Sequence, residues 1–154
     1  MRVSAKVDYA VRAAVQLAAA PPGALVTAQA ISDAQDIPHR FLDHILAELR
    51  HAGLLESRRG PEGGHRLARP AGEITIADII RPIDGPLASV GGRRPDQLEL
   101  TGTAEPLREV WVAVRASLRE VLEEVTLADV AGGELPERVM ALAAGQDAWA
   151  PRLR

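Results

Sequence analysis

PHRFLDHILAELRHAGLLESRRGPEGGHRLAR, residues 38–69, places an amphipathic helix, a tight turn and a basic hairpin in immediate succession. Pro38 suits the first turn of a helix, where its missing amide sacrifices no hydrogen bond. Phe41, Leu42, Ile45, Leu46 and Leu49 recur at three- and four-residue spacing, which turns one apolar stripe toward a core. Gly53 ends the helix with a left-handed backbone. Residues 54–58 and 65–69 read as short antiparallel strands, with Gly60, Gly63 and Gly64 supplying the positive φ their connection needs and Pro61 stiffening its tip. A helix beside an arginine-bearing hairpin is suited to presenting both to a nucleic-acid duplex.

Upstream, Ser4 caps a helix running to about residue 20, with Val7, Val11, Ala14, Val15 and Ala18 as its buried stripe, and Pro21, Pro22 and Gly23 stop it. Thr27 caps a second helix over 28–34, with Ala30 and Ile31 facing inward, and a turn at 35–37 leads into the quoted stretch. Downstream, Thr75 caps a helix over 76–80, which Pro82, Gly85 and Pro86 end. Residues 88–102 carry no periodicity, and Gly91, Gly92, Arg93, Arg94, Pro95 and Asp96 predict an exposed, mobile loop.

A longer helix is expected over 105–125. Its apolar face, Leu107, Trp111, Val114, Leu118, Val121, Leu122 and Val125, exceeds what a peripheral helix needs and calls for a partner. Thr126 caps a short helix beginning LADV, and 135–144 carries a weaker helical pattern before a tail expected to fray. Trp149 is expected to close that segment onto a dimer.

Composition limits the alternatives. The 154 residues contain no cysteine, which excludes disulfides, thiol nucleophiles and thiolate-held metals within this chain. Lys6, Asp8 and Arg12 interrupt the first apolar segment, so neither a signal peptide nor a membrane span is expected, and a cytoplasmic protein is the default. The formal charge of -3 conceals an asymmetry: residues 1–70 sum to +2 and residues 71–154 to -5. Attraction to phosphate follows the local basic face rather than the total, so the first half alone is suited to DNA.

Four blocks in order, SAKVDYAVRAAVQLA, FLDHILAELRHAGLLESRRGPEGGHRLARP, EITIADIIRPIDG and EPLREVWVAVRASLREVLEEVTLADV, resemble the Rrf2 family of bacterial winged helix-turn-helix transcription regulators. The resemblance covers roughly residues 1–130. It implies a mainly α fold with a small β-hairpin and a long C-terminal dimerisation helix. The expected organisation is a DNA-binding domain over 1–86, a flexible effector or linker loop over 87–104, and a dimerisation helix with C-terminal segment over 105–154. Family members are homodimers that place the third helix in a major groove and the wing in an adjacent groove.

Many members hold an iron-sulfur cluster through three cysteines before the crossing helix. Here Glu105 stands where the last cysteine is expected, and 89–103 contains no sulfur. Asp8 matches an acidic residue that some members contribute to the cluster, but alone it holds none; its simplest role is a pair with Arg12. No cofactor or metal is therefore expected, and an unidentified small-molecule or protein effector outranks cluster sensing.

Carried onto this chain, the resemblance makes Pro38, His39 and Arg40 the groove-facing start of the third helix, with Arg40 able to pair bidentately with guanine. His44 and Arg50 are candidate phosphate contacts. At the wing, Arg59 is the preferred minor-groove residue, with Arg58, Gly60 and Gly63 beside it. Lys6 and Arg2 are candidate phosphate contacts from the first helix, and Tyr9 is either a core aromatic or a phosphate donor. The expected function is a homodimeric, sequence-specific DNA-binding regulator, a repressor acting on a palindromic operator. The alternative is a winged-helix protein-interaction module without specific DNA binding, favoured by the overall acidity and by Glu62 at the wing tip. An enzyme is not expected, because no catalytic constellation or phosphate-loop motif is present.

Overall fold

The computed structural model describes residues 3–150, so Arg2 and the end of the tail lie outside the described residues. The elements follow in the order α1 (Ala5–Ala18), α2 (Ala28–Gln35), α3 (His39–His51), β1 (Leu55–Arg58), β2 (Gly64–Leu67), α4 (Ile76–Asp84), α5 (Leu107–Leu122), α6 (Leu127–Gly132), α7 (Glu137–Ala143) and α8 (Gln146–Trp149). The fold is mainly helical with one antiparallel hairpin, its register running from Leu55 opposite Leu67 to Arg58 opposite Gly64. No helix among the described residues is long and apolar enough to cross a membrane.

The capping residues act as their chemistry predicts. Ser4 Oγ accepts the Val7 amide at 3.1 Å, and Thr27 Oγ1 accepts the Ala30 amide at 3.1 Å. Thr75 and Thr126 each form a reciprocal capping box, with Asp78 and Asp129 respectively.

α1 is the hub against which α2, α3, α4 and α6 pack. Its tightest face is Val7, Ala10, Ala13, Ala14 and Leu17, whereas Val11, Val15 and Ala18 lie at the half-buried rim. A helix approached from several sides favours alanine where neighbouring backbones come closest, and a reading weighted toward valine misses that. In α2, Ile31 is fully buried, but Ala30 is exposed and Ala28 packs inward instead. Pro38 precedes α3 as its N-cap rather than occupying its first turn. Leu42, Ile45, Leu46 and Leu49 form the buried stripe of α3, while Phe41 is 45% exposed.

α4 runs past Pro82 to Asp84, longer than its sequence suggests. Proline removes the amide that would bond one turn back, yet the turn still closes through the Gly85 amide to the Arg81 carbonyl at 3.0 Å. The end of the chain's long helical region is fastened to this helix from outside. The Ile76 amide bonds the Val125 carbonyl at 2.9 Å, and the Leu127 amide bonds the Ile74 carbonyl at 2.9 Å. Val125 and Leu127 are consequently buried, so Val125 belongs to the chain's own core and not to an outward face.

α5 has no buried residue. The preceding segment, read as an irregular exposed loop, is a series of tight turns. Val90 and Arg93 exchange two backbone hydrogen bonds of 2.9 and 3.1 Å, and Pro95 is buried at the start of a 3-10 turn. Such turns rest on positive φ at Gly91 and Gly92 and on local charge pairing, neither of which leaves a periodic pattern.

Candidate nucleic-acid interface

The turn between α2 and α3 is set by Asp36, whose left-handed backbone (φ 51°, ψ 49°) reverses the chain. Two bonds lock the reversal: the Ile37 amide to the Ser32 carbonyl at 3.1 Å, and Ser32 Oγ to the Ile37 carbonyl at 2.7 Å. α1 clamps the same corner, because Arg12 Nη1 donates to the Gln35 carbonyl at 2.6 Å and Gln35 Nε2 donates to Gln16 Oε1 at 2.7 Å. The start of α3 is thereby tied to α1 and α2 by half-buried side chains.

The start of α3 faces solvent. Pro38 provides no side-chain cap, and no acid lies in the first turn, so its leading amides and positive dipole end remain available to phosphate. The Arg40 guanidinium lies 4.7 Å from the centre of the Phe41 ring, Phe41 and Tyr9 lie 6.3 Å apart, and Arg12 lies 5.1 Å from the Tyr9 ring. This Arg40–Phe41–Tyr9–Arg12 ladder explains the outward position of Phe41. Its ring braces an exposed arginine, an attraction of about 0.5–1 kcal/mol at such a site. The Tyr9 ring is partly buried against the core and packs in this ladder.

The wing loop joins Arg58 to Gly64, closed by the Gly63 amide to the Gly60 carbonyl at 2.9 Å. Gly60 and Gly64 have positive φ as expected, but Gly63 does not. What demands glycine at 63 is space, since a Cβ there would sit 2.2 Å from the Arg58 carbonyl oxygen. Gly64 is equally confined, with Val26 2.7 Å from where its Cβ would be, because Val26 and His65 bridge through paired backbone bonds of 2.8 and 2.9 Å. His65 Nδ1 also meets Ser57 Oγ at 2.8 Å. Burial, reinforced by the charge of Arg50 and opposed by Asp43, lowers the His65 pKa and so favours the neutral ring.

Ion pairing sorts the basic residues of this half. Lys6 pairs with Glu48 at 2.8 Å, Arg12 with Asp8 at 3.0 Å, Arg66 with Glu56 at 2.7 Å, and Arg69 approaches Asp78 at 4.0 Å. His39 Nδ1 lies 3.3 Å from Asp43. Among the described residues, no carboxylate stands within ion-pair distance of Arg40, Arg50, Arg58 or Arg59, and all four are exposed together with His44. Lys6, read as a phosphate contact, ties α1 to α3 through Glu48 while keeping its side chain partly exposed. Sequence spacing gave no sign of that 42-residue separation.

On α5, Trp111, Arg115, Leu118 and Leu122 share one face, from which Arg115 reaches Asp96 at 3.2 Å. Leu107, Val110, Val114 and Val121 form the neighbouring stripe. Val110 is 51% exposed and was absent from the expected face, although its spacing of three and four residues from Leu107 and Val114 marks it. Leu142, Met140 and Trp149 are also exposed, Trp149 at 80%.

The donor set does not fit an iron-sulfur cluster. The chain holds no thiolate, and no group of three or more potential metal ligands occurs among the described residues. Asp8 is engaged by Arg12, and Asp96 by Arg94 and Arg115.

Residues 3–133 match the model of the Rrf2 family, described as iron-dependent transcriptional regulators. A candidate HTH-type transcriptional regulator of Mycobacterium tuberculosis is 56% identical over 143 residues, covering 93% of this chain and 89% of the relative. The HTH-type transcriptional regulator CymR of Bacillus subtilis is 32% identical over 132 residues, covering 85% of this chain and 90% of CymR. The solved structure of B. subtilis CymR, described as the global cysteine regulator, superposes with a TM-score of 0.74 at 30% identity, covering 86% of this chain and 98% of that one. IscR of T. potens gives a TM-score of 0.70 at 31% identity, with coverage of 92% and 96%. The chain belongs to the Rrf2 family and is a DNA-binding transcription regulator rather than an enzyme.

Proposed function

We propose that the protein is a homodimeric, cytoplasmic repressor that reads a palindromic operator and does so without an iron-sulfur cluster. The observation that carries the reading is the sorting of charge. The arginines at α3 and the wing are left without acidic partners, while other basic residues of the same half are neutralised internally. Arg40 is suited to a base edge in the major groove, Arg59 to a narrow minor groove, and Arg50, Arg58 and His44 to phosphates. Gly60 and Gly63 allow the wing backbone to lie close to the duplex.

The dimer reading draws on α5. Leu107, Val110, Val114 and Val121 form an apolar stripe that the described residues cover only in part, Leu107 and Val110 being exposed, and a second copy crossing it satisfies that stripe and sets two half-sites apart. In this reading residues 1–86 bind DNA, residues 87–104 link and respond to a small-molecule or protein effector, and residues 105–154 dimerise. Cluster independence rests on the absence of cysteine from the chain.

The test is selection of bound duplexes from random DNA by the purified protein, with sedimentation to determine its oligomeric state and anaerobic absorption spectra to detect a cluster. Enrichment of a palindrome by a colourless dimer is expected. Failure to bind any duplex at about 50 mM salt, where phosphate contacts are strong, overturns the reading in favour of a protein-interaction module.

A further inference from the structure

Four arginines converge beside α5, on the side away from Val110, Val114 and Val121. Arg81 from α4, Arg94 from the turn before α5, and Arg115 and Arg119 from α5 line a half-open cleft of about 300 Å³ together with Gly85, Pro86 and Leu87. Their carboxylate partners are fewer. Asp96 serves Arg94 and Arg115, Glu123 serves Arg81 and Arg119, and Asp78 divides itself between Arg81 and the more distant Arg69.

Arg115 is the least exposed of the four, its side chain 22% accessible, and its Nε is buried with no hydrogen-bond partner among the described residues. A buried guanidinium N–H without an acceptor is costly and is ordinarily satisfied. Gly85, Pro86 and Leu87 also wall a second hollow of about 440 Å³, lined mainly by apolar side chains including Val7, Ile80, Leu118 and Leu122. Arg115 and Leu118, three residues apart on α5, thus contribute to a basic pocket and an apolar chamber that share one wall.

We propose that this joint between α4 and α5 is the receptor site for a small organic acid whose carboxylate pairs with the arginine cluster and whose apolar body fills the adjoining hollow. A carboxylate matches the fork of a guanidinium in two parallel hydrogen bonds, and the chamber adds binding that a bare anion does not gain. The site deepens the effector part of the regulator reading, resting on that reading only for its regulatory consequence. α4, which carries Arg81, also packs against α1 and α3, so a ligand here bears on the helix that presents Arg40.

The experiment titrates the full-length protein, without DNA, with straight-chain carboxylates from acetate to decanoate and with benzoate. The matched alcohols and inorganic phosphate serve as controls, and binding is followed through the arginine Nε–H NMR signals. The expected result is a saturable shift of the Arg115 signal by a carboxylate of intermediate length, with affinity weakened about tenfold or more in Arg119→Gln. Arg115→Gln is expected to weaken binding further, and Arg119, being exposed, provides a variant that leaves packing intact. No saturable shift with any carboxylate, equal binding of an alcohol or of phosphate, or unchanged affinity in a folded Arg119→Gln protein overturns the proposal. DNA binding is measured separately on the same samples, so loss of the regulator reading is distinguished from loss of the ligand site.

Discussion

Helices α1–α4 bury Ile31, Leu42, Ile45, Leu46, Leu49 and Ile79 against one another, whereas α5, the longest helix described, buries none of its residues. The two regions have similar raw material, since both carry aliphatic side chains at helical spacing. They differ in what the rest of the chain brings to them. The first region is enclosed by several helices and by Leu127, which returns from beyond α5; α5 touches only α4 and the turn at Pro95–Gln97 among its major contacts. A hydrophobic pattern by itself therefore does not say whether the face it marks is covered within the same chain.

This contrast can be broken most forcefully in the core. Leu46→Ala should lower unfolding free energy by about 2–5 kcal/mol in urea titration, because it empties a fully enclosed site. On α5, Val110→Asp should leave the circular dichroism of the protomer intact while weakening dimerisation by about 30-fold or more in sedimentation equilibrium, as for an interface hot spot of about 2 kcal/mol. A Val110→Asp protein that unfolds like the core variant would erase the distinction between the regions.

Within the DNA-binding half, Gly63→Ala should cost about 1–3 kcal/mol of stability through the clash with the Arg58 carbonyl, whereas Gly53→Ala has open space around its Cβ and suffers only backbone strain. The smallest expected effect is at His65. Its folded-state pKa is lowered, so the unfolded chain takes up the proton first. Its contribution is complete above the unfolded value of about 6.5 and declines as the pH falls below it toward the folded value. Urea midpoints compared between about pH 7.5 and 5 should converge for wild type and His65→Gln as the pH falls if burial of neutral His65 is what stabilises the wing root. Parallel curves would contradict this.

The helix-turn-helix and hairpin were legible in residues 38–69 because apolar periodicity, Gly53 and the wing glycines all indicate the same chain path. Phe41 was misplaced because a periodic pattern treats every apolar residue alike, whereas this ring is held outside by Arg40 and Tyr9. The pairing of Lys6 with Glu48 was hidden for a related reason: the two are distant in sequence and meet only after α1 packs on α3. The arginine cleft was invisible as a unit, since Arg81, Arg94, Arg115 and Arg119 lie on three segments that only the fold assembles. The apolar face of α5 was recognisable as one surface, but its division between Leu118 and Leu122, which line a hollow beside α4, and the exposed Leu107 and Val110 depends on where α4 sits.

In the proposed division of labour, arginines without internal partners read DNA, while the paired basic residues hold the fold. It is tested most directly by anisotropy titration of the selected operator, over a range of salt, with Arg40→Ala, Arg59→Ala, Arg50→Ala and Arg66→Ala. This division of labour predicts losses of about 1–3 kcal/mol for Arg40 and Arg59, accompanied by relaxed sequence preference. It predicts a salt slope reduced by about 1 for Arg50, and little change for Arg66. Equal losses at Arg66 and Arg40, or operator binding unaffected by changes at both Arg40 and Arg59, would contradict it.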